Sequence, residues 1–321
     1  MTFRVGVTSD LKTASGEPCF NPAAFDELAA NPEIEWEWID AGDEVTVKHA
    51  AEFDALHVNL PRVTAASVAS DDLRLKIVAR NGVGYDTVDI EALSAKGVLT
   101  TNTPLAIRRP VAVAALTHAF ALTSKLLTKD RLVRAGKWNE RVEHMGVGLT
   151  SRTLGVIGAG GIGREMMGLA APFFGDIVYS DPLEISIEGA RQLMLETLLS
   201  EADIIVVACL LTDDTRHLIN EAAFGLMKPT AFFINVARGP IHDETALIAA
   251  LQSKQIAGAG LDVTEHEPIA EDSPLLTMDN TIITAHSLCW TDECFEDIAR
   301  TALRSIVDVS LGNRPDHVVT A

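Results

Sequence analysis

Three polar side chains with complementary chemistry follow apolar runs in the second half of the sequence. Arg238 comes after AFFINVA, Glu267 shortly after the run that ends at Leu261-Asp262, and His286 after TIITA. Ligands of open α/β sheets bind beyond the carboxyl ends of the strands, so we expect the three side chains to line one crevice. A histidine can give a proton near neutral pH, a carboxylate on its other ring nitrogen orients the ring, and an arginine holds a carboxylate or polarises a carbonyl. Together they suit the delivery of hydride to a carbonyl carbon.

A glycine-rich segment predicts where the hydride carrier binds. The apolar run LGVI leads into GAGGIG, a G-x-G-x-x-G, and a helical pattern follows. Gly158 permits the tight turn, Gly160 allows the backbone to approach a pyrophosphate, and Gly163 allows the helix to pack on the strand. The next apolar run ends at Asp181, whose carboxylate can accept hydrogen bonds from a ribose and repels a 2′-phosphate. The segment therefore predicts NAD as the cofactor in preference to NADP.

Apolar runs that alternate with helical patterns must position these residues. In the first hundred residues we expect strands at 3–8, 35–39, 54–59 and 75–79, and a helix from Pro22 to about Ala30, capped by Asn21. In the second part we expect the six strands of a dinucleotide-binding sheet, at 154–157, 177–179, 203–208, 231–236, 256–261 and 281–284. Long helices are expected over about 110–127 and 291–311. This alternation implies parallel sheets that are covered on both faces.

The bulk composition limits the class of function. The chain has 321 residues, of which 47% are hydrophobic and 22% charged, and a net charge of −19. The length predicts two domains, and the charge argues against nucleic acid or an anionic membrane as a partner. No signal peptide is expected, because the first residues run directly into a strand pattern. The cysteines, Cys19, Cys209, Cys289 and Cys294, show no C-x-x-C or zinc-like spacing, so we expect reduced thiols, no metal site and a cytoplasmic protein.

An ordered series of motifs runs along almost the whole chain: ARNGVGYDTVD, TNTP, GAGGIG with YSDP, LLTDDTRHLIN, NVARGPIHDETAL, GAGLDVTEHEP and TAHS. This series resembles the D-isomer-specific 2-hydroxyacid dehydrogenases, and its order is highly specific. The resemblance implies an α/β fold of two doubly wound parallel-sheet domains. A Rossmann NAD-binding domain at 105–286 would be inserted into a flavodoxin-like substrate domain formed by 1–104 and 287–321. The helix near 110–127 and the arm after it would form a homodimer.

The resemblance also implies roles for individual residues. His286 would be the general acid/base, Glu267 its partner, and Arg238 would bind the carboxylate and carbonyl of a 2-oxo acid. The backbone at Val83 and Gly84 would hold the substrate carboxylate from the other domain. The implied NAD-binding residues are Gly158, Gly160, Gly161, Ile162, Gly163, Asp181, Cys209, Thr215, Ala237 and Asp262.

Several residues depart from the family pattern. Leu210 and Asp213 stand where prolines are usual, and we expect adjusted loop geometry there with binding kept. Gly161 replaces a frequent arginine, which removes a phosphate contact. Two further departures lie near the expected substrate site: Leu105 with the RRP at 108–110, and the S-L-C-W at 287–290. These changes leave the identity of the substrate open.

Two arginines and a tryptophan each have two interpretations. Arg108 and Arg109 open a helical segment, where cations oppose the helix dipole. In one interpretation both side chains are solvated. In the other, one of them reaches a second anionic group on the substrate or the cofactor. Trp290 either packs at the start of the final helix or, four residues after His286, forms a wall of the substrate pocket.

The leading hypothesis is an NAD-dependent enzyme that interconverts a small 2-oxo acid and its D-2-hydroxy acid, in the manner of a glyoxylate or hydroxypyruvate reductase. A phosphite- or formate-type dehydrogenase on the same scaffold is an alternative, although the formate enzymes have glutamine where Glu267 stands. A second alternative is an NAD-sensing regulatory protein, because such proteins can keep Arg238, Glu267 and His286.

Overall fold

The computed structural model of the chain describes residues 2–319, which form two compact units. The first unit comprises the residues up to Ile107 together with those from Trp290, and the second is the uninterrupted stretch Arg108–Cys289. Each unit contains one parallel sheet with helices packed on it. The chain therefore has the α/β fold that its alternating pattern predicts.

The first unit is built on a five-stranded sheet. Its strands are β1 Phe3–Thr8, β2 Ile34–Ile39, β3 Ala55–Val58, β4 Ile77–Arg80 and β5 Leu99–Thr101. They lie in the order β2-β1-β3-β4-β5, which is the flavodoxin-like order. β5 is not among the strands expected from the sequence, because three residues are too few to show a periodic pattern.

Helices cover both faces of this sheet. They include α1 Asp26–Ala29, α2 Val47–Glu52 and α3 Ile90–Ala95. Asn21 caps the expected helix start, but the first turn, Pro22–Phe25, is 3₁₀ and α1 is short. Successive strand residues point to opposite faces, so Val5 and Ile77 join one apolar core and Leu56 and Val78 the other.

The second unit is built on a seven-stranded sheet. Its strands are β6 Thr153–Ile157, β7 Asp176–Ser180, β8 Arg191–Gln192, β9 Ile204–Val207, β10 Phe232–Asn235, β11 Gly258–Leu261 and β12 Thr281–Ile283. The order β12-β11-β10-β9-β6-β7-β8 is that of a dinucleotide-binding sheet with one strand added at the β12 edge. The expected number of six strands is wrong, because the two-residue edge strand β8 shows no hydrophobic pattern.

The helices of the second unit are α4 Arg108–Ser124, α5 Leu126–Arg134, α6 Gly161–Ala170, α7 Leu195–Glu201, α8 Glu221–Leu226 and α9 Glu244–Gln252. The single helix expected over 110–127 is divided at Lys125, whose φ is +54°, and α4 and α5 meet at a bend of 57°. The chain then returns to the first unit with α10 Asp292–Ser310, which contributes Phe295, Leu303 and Ile306 to the core there.

No single helix within residues 2–319 is long and apolar enough to cross a bilayer. The bent pair of α4 and α5 passes the same test of length and composition only when the two helices are taken together. The apolar side chains of α4 are largely buried, and the helix packs against α6, β10 and β11. Burial in the core of the unit accounts for the apolar composition of α4.

Candidate active site

The loops that follow β10, β11 and β12 carry the three residues with complementary chemistry. Arg238 lies three residues beyond β10, Glu267 in the loop after β11, and His286 in the loop after β12. The three strands are neighbours and run parallel. Their carboxyl ends therefore lie along one edge of the second unit's sheet.

His286 and Glu267 form a hydrogen-bonded pair at this edge. Nδ1 of His286 donates to Oε2 of Glu267 at 2.8 Å, and both side chains are about two-fifths exposed (43% and 41%). Burial opposes ionisation of Glu267, but the hydrogen bond from His286, the charge of His286 and the charge of Arg238 together lower the pKa of that carboxyl. Glu267 is therefore ionised at neutral pH. The pair leaves Nε2, the other ring nitrogen of His286, available for a further hydrogen bond.

The loop that carries His286 is held by Asp262, a buried residue directly after β11. Oδ1 of Asp262 accepts three hydrogen bonds: from the hydroxyl of Thr284 at 2.5 Å and from the N–H groups of Ser287 and Leu288 at 3.1 Å each. The backbone of His286 has φ +51°, a conformation that few residues other than glycine adopt. Its N–H donates to the carbonyl of Asp262 at 2.8 Å. These bonds offset the strain and fix the direction of the imidazole.

His118 on α4 supports the same loop and was missed by sequence reasoning. Its Nε2 donates to the hydroxyl oxygen of Thr284 at 3.3 Å, and burial lowers the pKa of His118 although Asp262 opposes the shift. A Cβ on Gly260 would come within 2.8 Å of the Cβ of His118. The separation of 166 positions between His118 and Thr284 hides this contact from any local pattern.

The loop that carries Arg238 is held by Asn235, the last residue of β10. Nδ2 of Asn235 donates to the carbonyl of Arg238 and to Nδ1 of His242, both at 2.9 Å, and Oδ1 accepts from the N–H of Ala237 at 3.0 Å. Asn235 and His242 are fully buried, and burial lowers the pKa of His242 to about 4. A neutral His242 can accept the amide hydrogen bond. The sequence around His242 did not predict this supporting role.

Gly239 brings the loops after β10 and β11 together. A Cβ at this position would lie 1.8 Å from the carbonyl oxygen of Thr264 and 2.6 Å from the nitrogen of Glu265. Both atoms belong to backbone, so only glycine permits this approach. The contact places Arg238 beside the loop of Glu267.

The glycine-rich turn between β6 and α6 has the geometry that its spacing predicts. Gly158 has φ +99°, and a Cβ there would lie 2.6 Å from the nitrogen of Cys209. A Cβ on Gly163 would lie 2.0 Å from the carbonyl oxygen of Gly158, whereas one on Gly160 would meet nothing within 4 Å. The turn is therefore closed on the protein side and open at Gly160, where α6 presents its N-terminus. This open backbone fits the pyrophosphate of a dinucleotide.

Asp181 lies directly after β7 and beside the glycine-rich turn. Its Oδ2 accepts from the N–H of Ala159 at 2.8 Å, and its Oδ1 accepts from the N–H of Leu183 at 3.0 Å. Each carboxylate oxygen keeps a further lone pair, so the group can also accept from ribose hydroxyls. This placement fits the adenosine end of NAD.

The other residues predicted to bind the cofactor make contacts inside their own segments. The hydroxyl of Thr215 donates to the carbonyl of Leu210 at 2.6 Å. Burial raises the pKa of the Cys209 thiol to about 11, so that thiol is neutral. Ala237 accepts a hydrogen bond from Nη1 of Arg238 at 2.8 Å, and Ile162 is the second residue of α6. Contact of these residues, and of Asp262, with the cofactor stays a prediction.

Three residues predicted to bind substrate belong to the first unit. Val83 and Gly84 lie in the loop after β4, where the carbonyl of Val83 accepts from Nδ2 of Asn102 at 2.8 Å. Trp290 is 54% exposed, and its ring packs edge-to-face on Phe295 at 4.8 Å between centroids. Packing at the start of α10 is thus present, and the substrate-binding roles of all three residues stay predictions.

Comparison with known proteins identifies the family. Residues 116–287 match the family described as D-isomer specific 2-hydroxyacid dehydrogenase, NAD binding domain. Glyoxylate/hydroxypyruvate reductase B of Klebsiella pneumoniae (strain 342) is 37% identical over 247 residues, which are 75% of this chain and 76% of that protein. Glyoxylate reductase of Thermococcus onnurineus (strain NA1) is 36% identical over 286 residues, 86% of this chain and 85% of that protein. The crystal structure of TT0316 protein from Thermus thermophilus superposes with a TM-score of 0.88 at 29% identity, over 99% of this chain and 100% of that one. The chain therefore belongs to the D-isomer-specific 2-hydroxyacid dehydrogenases and is an NAD-dependent oxidoreductase.

Proposed function

We propose that the protein interconverts a small 2-oxo acid and its D-2-hydroxy acid, with glyoxylate and hydroxypyruvate as the first candidates. The observation that carries the proposal is the hydrogen-bonded pair of His286 and Glu267 in the loops beside that of Arg238. Relatives named glyoxylate reductase and glyoxylate/hydroxypyruvate reductase, 36% and 37% identical to this chain, support the choice of candidates.

In this proposal His286 is the general acid in reduction and the general base in oxidation. When bound, NADH supplies the hydride that reduces a carbonyl carbon. Nε2 of His286 gives its proton to the carbonyl oxygen, and the ionised Glu267 stabilises the positive charge of the protonated ring. Since Nδ1 is already bonded to Glu267, the ring has one nitrogen available for the substrate and a fixed orientation.

Arg238 is proposed to bind the carboxylate and the carbonyl oxygen of the substrate. Its guanidinium can form two parallel hydrogen bonds to a carboxylate, and it stabilises the negative charge that develops on the oxygen. The anchoring of its backbone by Asn235 supports this role, because a fixed loop directs the side chain with little loss of entropy.

The direct test is NADH oxidation with a panel of 2-oxo acids. We expect turnover with at least one of glyoxylate, hydroxypyruvate and pyruvate, and loss of turnover in His286→Ala. His266→Ala is the matched control, since this exposed histidine is adjacent to Glu267 and has no proposed role. Oxidation of phosphite or formate by NAD⁺ in place of 2-oxo acid reduction would favour the alternative enzyme. NADH binding without turnover on the whole panel would favour an NAD-sensing protein.

A homodimer is proposed for the assembled enzyme. α5 buries none of its residues, and large apolar side chains are exposed along α5 and the arm after it: Leu126, Leu127, Val133, Trp138, Val142 and Met145. Exposed apolar patches of this kind mark association surfaces. Analytical ultracentrifugation should show a dimer that Trp138→Glu with Val142→Glu converts to monomer. Leu60→Glu, at an exposed apolar residue of the first unit, should leave the dimer intact.

We also propose a cytoplasmic location and no nucleic acid or membrane partner. The net charge of −19 repels phosphate backbones and anionic lipid, and the scattered cysteines do not resemble a disulfide framework. Cell fractionation and an electrophoretic shift assay with DNA and RNA check the two statements.

A further inference from the structure

The first side chain of α4 lies over the first residue of α6. A Cβ on Gly161 would come within 2.5 Å of Nε and 3.0 Å of Cζ of Arg108. Gly161 is the N-terminal residue of α6 and does not have a positive φ, so its backbone conformation suits any residue. In this structure the Arg108 guanidinium occupies the space that a side chain at position 161 would fill.

The two arginines near Arg108 already have protein partners. Nη1 of Arg109 forms an ion pair with Oε1 of Glu165 at 3.1 Å, and Nε of Arg164 donates to the carbonyl of Ala159 at 2.8 Å. Within residues 2–319 the guanidinium of Arg108 has no hydrogen-bond or ion-pair partner, although the residue is half-buried. Arg108 is thus the cation of this group that remains available to a ligand.

The electrostatic setting of Arg108 selects an anion. Arg108 is the first residue of α4 and lies beside the first residue of α6, and the N-terminus of a helix carries partial positive charge. A guanidinium held against two such ends is repelled by both. An anion between the guanidinium and the N–H groups of α6 converts this repulsion into attraction. The three arginines also line an open cavity of about 390 Å³ that leads along α6.

We propose that Arg108 is a cofactor-binding residue whose guanidinium, reaching from α4 across Gly161, donates to the pyrophosphate of NAD at the N-terminus of α6. The planar guanidinium matches phosphate oxygens in a bidentate manner. The proposal rests on NAD binding by the glycine-rich turn. Gly161 then has a role of its own: because it has no side chain, Arg108 of α4 has access to the phosphates.

The test measures binding directly, by calorimetry with NADH, with ADP-ribose and with adenosine. ADP-ribose carries the pyrophosphate without the nicotinamide, and adenosine has no phosphate. We expect Arg108→Ala to lower the affinity for NADH and for ADP-ribose by the same factor, about tenfold to a hundredfold. The affinity for adenosine should not change. Arg109→Ala is the matched control and should alter ADP-ribose affinity by less than about threefold, because its ion pair is exposed.

A position swap tests the geometry. In Arg108→Ala with Gly161→Arg, the space vacated by Arg108 can receive an arginine from α6 itself, and ADP-ribose affinity should recover. No recovery in a folded double variant would contradict the shared position of the two side chains. Folding of every variant is checked by its melting temperature.

Unchanged ADP-ribose affinity in Arg108→Ala would overturn the assignment. If the same variant also had a raised KM for the 2-oxo acid, Arg108 would belong to the substrate site. A wild-type protein that binds neither NADH nor ADP-ribose would instead contradict the cofactor assignment itself, so the two failures are distinguishable.

Discussion

Nδ1 of His286 and Oε2 of Glu267 lie 2.8 Å apart although the two residues are 19 positions apart in the chain. Each residue is in a loop with its own support: Asp262 holds the loop of His286, and the N–H of Thr264 donates to the other oxygen of Glu267 at 3.3 Å. The pair is therefore positioned by two independent sets of backbone contacts. Removal of the carboxylate charge should change proton transfer with little effect on the fold.

Glu267→Gln should lower kcat about a hundredfold. Burial opposes ionisation, but the hydrogen bond from His286 lowers the pKa of Glu267, so the carboxylate keeps its charge at mildly acidic pH. The advantage of the wild type over the variant, which lacks this charge, should therefore persist from pH 5 to 9. Steady-state rates of 2-oxo acid reduction across this range measure the advantage. Glu271→Gln, an exposed change in the same loop, should keep the wild-type rate, and a wild-type rate in Glu267→Gln would contradict the role of the pair.

Gly239→Ala should destabilise the protein and disable it. The added Cβ would collide with the carbonyl of Thr264, so the loops after β10 and β11 must separate. We expect a loss of about 3 kcal/mol in the free energy of unfolding and about a hundredfold in kcat/KM, since Arg238 moves with its loop. Gly225→Ala, in α8 with nothing within 4 Å of the new Cβ, should instead stabilise by about 0.5–1 kcal/mol. Urea unfolding compares the two, and equal effects would refute the steric argument.

His57 and His242 should make the protein sensitive to acid. Burial lowers the pKa of each from its ordinary 6.5 to about 4. Between these values the unfolded chain binds the proton and the folded chain does not, so stability is present above pH 6.5 and is lost as pH falls towards 4. Each histidine should account for about 3 kcal/mol of this loss.

Urea unfolding of His57→Gln and His242→Gln at several pH values checks this account. Each variant should show a shallower fall in stability between pH 6.5 and 4 than the wild type. Between pH 7.5 and 8.5, where neither histidine titrates, the unfolding free energy of each variant should change with pH as that of the wild type does. A variant that keeps the full acid slope would show that carboxyl groups are responsible.

Asp181→Asn should weaken the preference for NAD. The carboxylate accepts from the N–H of Ala159, and the amide oxygen of asparagine can keep that bond without the charge that repels a 2′-phosphate. The ratio of kcat/KM for NADH to that for NADPH should fall at least about tenfold. Glu184→Gln, an exposed acid three residues later, should change the ratio far less. A wild-type enzyme that uses NADPH better than NADH would refute the assignment.

The carboxyl-end positions of Arg238, Glu267 and His286 could be predicted because they depend on a simple property of parallel sheets. Once the apolar runs are recognised as parallel strands, the residues after them must lie along one edge. The glycine-rich turn was equally predictable, because the spacing of Gly158, Gly160 and Gly163 follows from steric requirements that any such turn must meet.

Contacts between distant segments could not be predicted in this way. Nothing in a local pattern indicates that His118 supports the loop of His286 or that Arg108 lies over Gly161, since each contact depends on how α4 packs on the sheet and on α6. The break at Lys125 was equally hidden, because its sequence, SKLLTKD, contains no glycine or proline.

The division of the chain also sets an order of folding during synthesis. The second unit is one uninterrupted stretch, so all of its sheet is available once Cys289 has left the ribosome. The first unit needs Phe295, Leu303 and Ile306 of α10 to complete its core. The strands of the first unit therefore wait for α10, which is translated after the second unit, and the nucleotide-binding unit is the first of the two that can become native.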